Sequence, residues 1–192
     1  MMCLRRNRGM VERSVRPLSW RAFTLIELLT VITIIGILSG IVIGVGLHAS
    51  ESGKVARAKV ELAAISSALE GYKRQYGDYP RTNISAELLQ ALVGKLGPTR
   101  ITLNPQGRVL LDLALFNTDV AGDPLTNPAL SLADPWGHAY SYAYKIPGST
   151  WTNSSFVLYS IGTDGQDDAT LATGGYPNRD AEHNLDNIYA NI

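Results

Sequence analysis

A chain of 192 residues with one cysteine and 17 basic against 17 acidic side chains has room for one small globular domain plus extra segments, and it excludes a disulfide framework within the chain. The charge is unevenly spread: Arg5, Arg6, Arg8, Arg13, Arg16 and Arg21 face only Glu12 in residues 1–22, and the remainder carries a formal net charge of about −5. A mildly acidic remainder argues against a nucleic-acid partner, and basic residues abutting an apolar run point to membrane orientation instead.

That run, Phe23 to Leu47, has a single ionisable side chain, Glu27. As a helix rising about 1.5 Å per residue it would measure roughly 37 Å, enough for a hydrocarbon core of about 30 Å. The arginines would keep its N-terminal side in the cytoplasm. It is too long for the apolar core of a secretory signal peptide, and no small-x-small site precedes its polar boundary. A plain anchor fits the length and flanks but leaves Glu27 without a purpose, because a carboxylate in a membrane segment is costly and calls for a cationic partner. Gly36, Gly40 and Gly44, at four-residue spacing, and Gly46 interrupt the run. They open a groove for another helix, ease unwinding at about 1 kcal/mol each relative to Ala, or are simply the glycines that membrane helices commonly carry.

The helical pattern continues past Glu51. Val55, Ala58, Leu62, Ile65, Leu69, Tyr72 and Tyr76 recur at steps of three and four, and no proline occurs between Phe23 and Tyr79, so one helix is predicted from Phe23 to about Tyr76, stopped by Gly77. Arg57–Glu61 and Glu70–Arg74 are spaced for weak ion pairs. Ser85 is positioned to cap a short helix over Ala86–Val93, closed by Gly94. Gly97–Ala133 reads as irregular, with a short strand or helical turn at Val109–Phe116. The alternation of Tyr140, Tyr142, Tyr144 and Ile146 predicts a half-buried strand over His138–Ile146; Pro147–Ser154 is a turn, Phe156–Ile161 a second strand and Asn184–Tyr189 a third, after a loop at Gly162–His183 rich in Gly and Asp. A long helix followed by a small antiparallel sheet is an α+β arrangement.

His48, His138 and His183 have no metal-site spacing, and no nucleophile elbow, P-loop or dinucleotide fingerprint is present, so the residues point to a non-enzyme. Trp136 and the tyrosines that follow suit either a core stripe or a sugar platform; such a stripe more often packs beneath a helix. Asp164, Asp167, Asp168, Asp180 and Asp186 crowd the closing segment, either as a solvated acidic loop or as oxygen donors for calcium, without EF-hand spacing.

Ala22-Phe23-Thr24-Leu25-Ile26-Glu27 ahead of an apolar helix resembles the processing signal of the type IV pilin and type II secretion pseudopilin superfamily, over about Arg21–Gly46. Tyr72–Pro80 (YKRQYGDYP), Asp134–Tyr142 (DPWGHAYSY) and Tyr159–Asp168 (YSIGTDGQDD) are most similar to the major pseudopilin of type II secretion. The chain departs from that pattern at Ala22, where Gly is usual, at Gly44, where Pro is common, and in its long leader, expanded Gly94–Ala133 segment and long final loop.

The resemblance implies a pilin fold: a basic leader, 1–22, that is removed; a transmembrane and assembly helix, 23–48; and a periplasmic domain, 49–192, that includes the rest of the helix. It implies cleavage between Ala22 and Phe23 by a prepilin peptidase, N-methylation of Phe23, and assembly through Glu27, paired with the new ammonium of a neighbouring subunit. Polymerisation with itself and minor pseudopilins on an inner-membrane secretion platform would then build a periplasmic pseudopilus that supports protein export. It also implies calcium at Asp164 and Asp186 with backbone carbonyls such as that of Ile161, and Asp167 and Asp168 nearby. The alternatives are a type IV pilin, a minor pseudopilin, or a membrane-anchored binding module or hydrolase.

Overall fold

The computed structural model describes residues 23–168 and 171–190, with the backbone alone for 42–48. The chain divides into two units, the first ending at Val45 and the second starting at Gly46.

Helix α1 runs from Leu25 to Tyr76, 52 residues, as the absence of proline allows. In the first unit exposed apolar side chains lie on every side of the helix, interrupted by Glu27, Thr30, Thr33 and Ser39. In the second unit it becomes one-sided: Ala58, Glu61, Leu62, Ile65, Ala68, Leu69 and Tyr72 are buried, while Lys59, Val60, Ala63, Ser67 and Glu70 face solvent. It ends where Gly77 adopts φ +85°, a left-handed value that costs a residue without Cβ little, and the Gly77 amide donates to the Lys73 carbonyl at 2.7 Å.

Helix α2 covers Ser85–Leu92. The expected Ser85 cap is not formed. The residue at the cap is Ile84, which has no capping side chain, and Ser85 Oγ instead donates to the Tyr140 carbonyl at 2.8 Å. Thr82 does the local work: its hydroxyl accepts from the Ile84 amide and donates to Glu87. A tertiary bond from Ser85 has won over local capping.

Between Gly94 and Ala133 the chain is more ordered than its prolines suggest. A 3-10 turn at Leu113–Leu115 stands where the strand-or-turn at Val109–Phe116 was expected, with Asp112 accepting from the Ala114 amide. It leads into strand β1, Asn117–Thr118, which pairs antiparallel with β2, Leu132–Ala133. The second sheet has the order β3 (Ser141–Ala143), β4 (Val157–Ser160), β5 (Ile188–Tyr189), antiparallel throughout, with Tyr142 opposite Leu158 and Tyr159 opposite Tyr189. All three strands are shorter than expected. β3 stops before Lys145, whose φ of +39° turns the chain, so Ile146 leaves the stripe half-buried. Asn184 belongs to a 3-10 turn at Glu182–Asn184, which delays β5.

The core of the second unit joins Leu62, Ile65 and Leu69 of α1 to Leu88, Leu89 and Leu92 of α2 and to Tyr140, Tyr142 and Leu158 of the sheet. The tyrosine stripe is therefore core, and its hydroxyls are paired: Tyr140 donates to Glu61 at 2.7 Å, Tyr142 to the Pro80 carbonyl at 2.8 Å and Tyr144 to Asp78 at 2.7 Å. Burial, followed by the hydrogen bond to Glu61, pushes the Tyr140 hydroxyl well above its ordinary range. The Arg57–Glu61 pair forms at 2.6 Å. Glu70 does not bond Arg74 but accepts from the Tyr79 hydroxyl at 2.5 Å, because the chain folds Tyr79 back over the end of the helix.

Candidate functional site

The start of α1 is built by a reciprocal cap. Thr24 precedes the first helical residue, and Glu27 Oε2 accepts from both the Thr24 amide, at 3.0 Å, and the Thr24 hydroxyl, at 2.9 Å. The Glu27 amide donates back to Thr24 Oγ1 at 3.3 Å. This is a Thr-x-x-Glu capping box, which satisfies donors that a helix start otherwise leaves open. Thr24 was missed as a functional residue, although Thr24-Leu25-Ile26-Glu27 ahead of an apolar run is the sequence signature of the motif. Both capping bonds use Oε2, which leaves Oε1 of Glu27 available as an acceptor.

Phe23 is 80 % exposed, directly before the cap, and Ala22, the other side of the expected cut, lies outside the described residues. Leu25, Ile26, Leu28, Leu29, Ile32 and Ile35 are all more than half exposed. A helix apolar on every side needs a non-aqueous or helical environment. Among the described residues no helix is long and apolar enough to cross a membrane; the side chains of 42–48, which complete the Phe23–Leu47 run, lie outside that statement. A Cβ added at Gly36 or Gly40 would meet nothing within 4 Å, so within this chain neither glycine is required by packing. The helix backbone continues through Gly44 and Gly46, whose surroundings lie outside the described residues.

The closing loop brings Asp164 and Asp186 together. Asp186 Oδ2 accepts from the Thr163 amide at 2.8 Å, the Thr163 hydroxyl at 3.0 Å and the Asp164 amide at 3.1 Å. Its partial burial would raise the Asp186 pKa, but these donors outweigh that and lower it. Gly162, at φ +71°, makes the approach possible: a Cβ there would stand 2.5 Å from Asp186 Oδ2. Asp164 Oδ1 accepts from the Gln166 amide at 2.8 Å, and its Oδ2 lies 3.9 Å from His183 Nδ1. Ile161 directly precedes this turn.

Asp167 and Asp168 are directed elsewhere. Asp167 accepts from the Tyr159 hydroxyl at 2.7 Å. The Asp168 backbone is held by Asn184, whose buried amide accepts from the Asp168 amide at 3.0 Å and donates to the Asp168 carbonyl at 3.3 Å and the Asn178 carbonyl at 2.6 Å. Among the described residues, no group of three or more His, Cys, Asp or Glu side chains is placed to hold a metal ion. Of the expected calcium ligands, the loop brings together Asp164 and Asp186, through the Asp164 amide.

A third built feature is the turn at Asp134–Gly137. Asp134 is fully buried; Oδ1 accepts from the Trp136 and His138 amides at 3.0 and 2.9 Å, and Oδ2 from Ser160 Oγ at 2.5 Å. The turn aims Trp136 at α1, where its indole donates to Glu51 at 3.0 Å. This placement makes Trp136 a bridge from the sheet to the helix rather than a sugar platform.

The family model described as Prokaryotic N-terminal methylation motif matches residues 21–43, which include Phe23, Thr24 and Glu27. The chain is 37 % identical over 145 residues to the type II secretion system core protein G of Pseudomonas aeruginosa, covering 76 % of this chain and 84 % of the relative. The chain belongs to the core protein G family. Membership extends to relatives in Vibrio cholerae, 34 % identical over 76 % of this chain and 82 % of the relative, and in Escherichia coli, 29 % identical over 76 % and 83 %. No solved structure gives a significant match. The pseudopilin reading is thus upheld, and with it the choice of the type II secretion major subunit over the other members of the superfamily.

Proposed function

We propose that this core protein G is a structural subunit, not an enzyme, made as an inner-membrane precursor with its C-terminal domain in the periplasm. A prepilin peptidase cuts it between Ala22 and Phe23 and Phe23 is N-methylated. The subunit then leaves the bilayer and polymerises, with minor pseudopilins and the inner-membrane assembly platform, into a periplasmic pseudopilus. The observation that carries this reading is the helix of Leu25–Ile41, apolar on every side and exposed, which neighbouring helices can cover once lipid no longer does.

In this scheme Glu27 has two duties. One oxygen caps the helix, and the other accepts the Phe23 ammonium of an adjacent subunit. In a site of intermediate dielectric such a pair at about 4 Å is worth a few kcal/mol before desolvation is subtracted. A slipped packing would strand both charges, so the pair selects register. Calcium at Asp164 and Asp186, with the Ile161 carbonyl, would tie the closing loop to the turn that follows β4 and so stiffen the surface presented for assembly.

The two duties separate by mutation. Glu27→Gln keeps a side chain that can cap and removes the charge; Glu27→Ala removes both. Both variants are expected to be inserted and processed, and both to yield few filaments. Normal filament yield from Glu27→Gln would eliminate the ion pair. N-terminal sequencing of the mature wild-type protein should begin at Phe23; a cut beyond Leu47 would refute the processing scheme.

A further inference from the structure

The long final loop does more than connect β4 to β5. Phe156, Leu158 and Ile188 belong to the core, so the alternating residues Val157, Tyr159 and Tyr189 lie on the other face of the sheet. Part of the loop is built against that face. Ala172 pairs with Tyr176 across a tight turn, and the Gly174 carbonyl accepts from the Thr152 and Asn153 amides at 2.9 and 3.0 Å. Asn153 Nδ2 donates to the Gly175 carbonyl at 3.0 Å.

A pocket of about 230 Å³ opens between this loop and the sheet, lined among others by Asn153, Val157, Tyr176, Pro177, Arg179 and Tyr189. Tyr176 is 49 % exposed. The Arg179 guanidinium lies 4.5 Å from the centre of the Tyr189 ring, and Tyr189 lies against Tyr159 with centroids 5.1 Å apart. This stack holds the guanidinium at the pocket. Among the described residues no carboxylate lines it.

Each feature narrows the ligand. The volume is below the roughly 300 Å³ at which pockets for drug-sized molecules begin, so a single ring fits. An arginine without an acid beside it disfavours a cation and suits a carboxylate, which a guanidinium meets with two parallel bonds. Its five donors are enough for a ligand besides partners in the protein. Asn153 bonds once through its amide nitrogen and once through its oxygen, which accepts from the Ser155 amide at 3.0 Å, so a further N–H and a further lone pair remain for hydroxyls. A pyranose ring carries C–H groups on its faces and hydroxyls on its rim, the match for a tyrosine ring beside an amide.

We propose that this pocket binds a single acidic sugar residue, with its carboxylate on Arg179, one C–H face on Tyr176 and its hydroxyls at Asn153. The site lies outside α1 and does not depend on the polymerisation reading. Two sources carry this chemistry: the muramic acid of a cell wall and the uronic acids of a polysaccharide.

The test uses the full-length chain in a detergent without a sugar headgroup, titrated by ligand-observed NMR with D-glucuronate, D-glucose, N-acetylmuramic acid and benzoate. Glucuronate should bind about tenfold tighter than glucose. Tyr176→Ala should weaken glucuronate about tenfold, and Arg179→Gln should abolish the preference over glucose. Circular dichroism melting of both variants, expected to match that of the parent, separates loss of the site from loss of fold. Retention of the parent but not of Arg179→Gln on isolated cell walls, with release by N-acetylmuramic acid, supports the site and names the wall as source. Competition by a soluble polyuronate without retention on walls supports the site and names a polysaccharide. No sugar binding at millimolar concentration, glucuronate binding that survives both substitutions, or tighter binding of benzoate than of glucuronate would overturn the proposal, the last by marking a pocket for aromatic acids.

Discussion

Asp78 closes α1 onto the sheet, and removing its charge tests that closure quantitatively. Its Oδ1 accepts from the Tyr144 hydroxyl at 2.7 Å and the Tyr79 amide at 3.0 Å, and its Oδ2 from Arg81 at 2.8 Å and Lys145 at 3.3 Å. Burial would raise its pKa; the bonds from Tyr144, Arg81, Tyr79 and Lys145 outweigh burial and hold it at about 2, against 3.8 for a free carboxyl. A depression of that size corresponds to about 2 kcal/mol of folding stability. The side chain is 19 % exposed, so solvent screening removes little of it. The sign follows from the lowered pKa: the contribution is complete above the unfolded value of 3.8 and is lost as pH falls through about 2. Asp78→Asn should therefore lower stability by about 2 kcal/mol at pH 7, by about 1 at pH 3, and by almost nothing below pH 2. Denaturant unfolding of detergent-solubilised protein, followed by tryptophan fluorescence, reads the difference between variant and parent, in which the other carboxylates cancel. In a unit of this size the pH 7 effect should appear as a fall in Tm of roughly 4–8 °C. A difference that stays constant from pH 7 to pH 2 would show that the amide disturbs packing, and that the charge of Asp78 carries no linkage.

Other outcomes follow from the same structure. Tyr140→Phe removes the bond to the buried Glu61 and should cost about 2 kcal/mol, the range for a hydrogen bond to a charged group; an unfolding midpoint unchanged from the parent would mean that water replaces the hydroxyl. Gly40→Ala with Gly44→Ala should raise helix preference by roughly 1 kcal/mol per site and impair assembly if this stretch unwinds on leaving the bilayer; a filament reconstruction with unbroken helix over Ile35–Leu47 would refute unwinding. Millimolar calcium should raise the Tm of the parent, and Asp164→Ala should abolish the rise; an unchanged parent Tm would leave the loop without a metal role. Ala22→Trp should accumulate uncut precursor on a gel, because the residue before the cut must be small, and efficient processing of that variant would remove the size requirement.

The long helix was legible because its evidence is local and repeated: apolar residues at steps of three and four, no proline, and a glycine at the stop. The tyrosine stripe was legible for the same reason, with a period of two. What escaped the sequence was decided by distant partners. Ser85 has the chemistry of a cap, but the Tyr140 carbonyl, 55 residues away, claims its hydroxyl. Strands β1 and β2 contain two residues each, too few to show a period, and exist because they pair with each other. Asn184 looked like the start of a strand and is instead the buried amide that organises the closing loop. Glu27 was legible as an anomaly, but half of its explanation, the bond to Thr24, was visible in a four-residue motif and was read only as part of a processing signal.

The three tyrosine hydroxyls of β3 and its flanks have a mechanical consequence. Tyr140 grips Glu61 in the body of α1, while Tyr142 and Tyr144 grip Pro80 and Asp78 just beyond its end. These anchor points span about 19 residues of the chain that runs along and off the helix. A tug on α1 along its axis is consequently shared by three attachments in parallel, each of which must break before the sheet can slide. Tugging on the C-terminal half of the helix therefore drags the sheet with it as a single body.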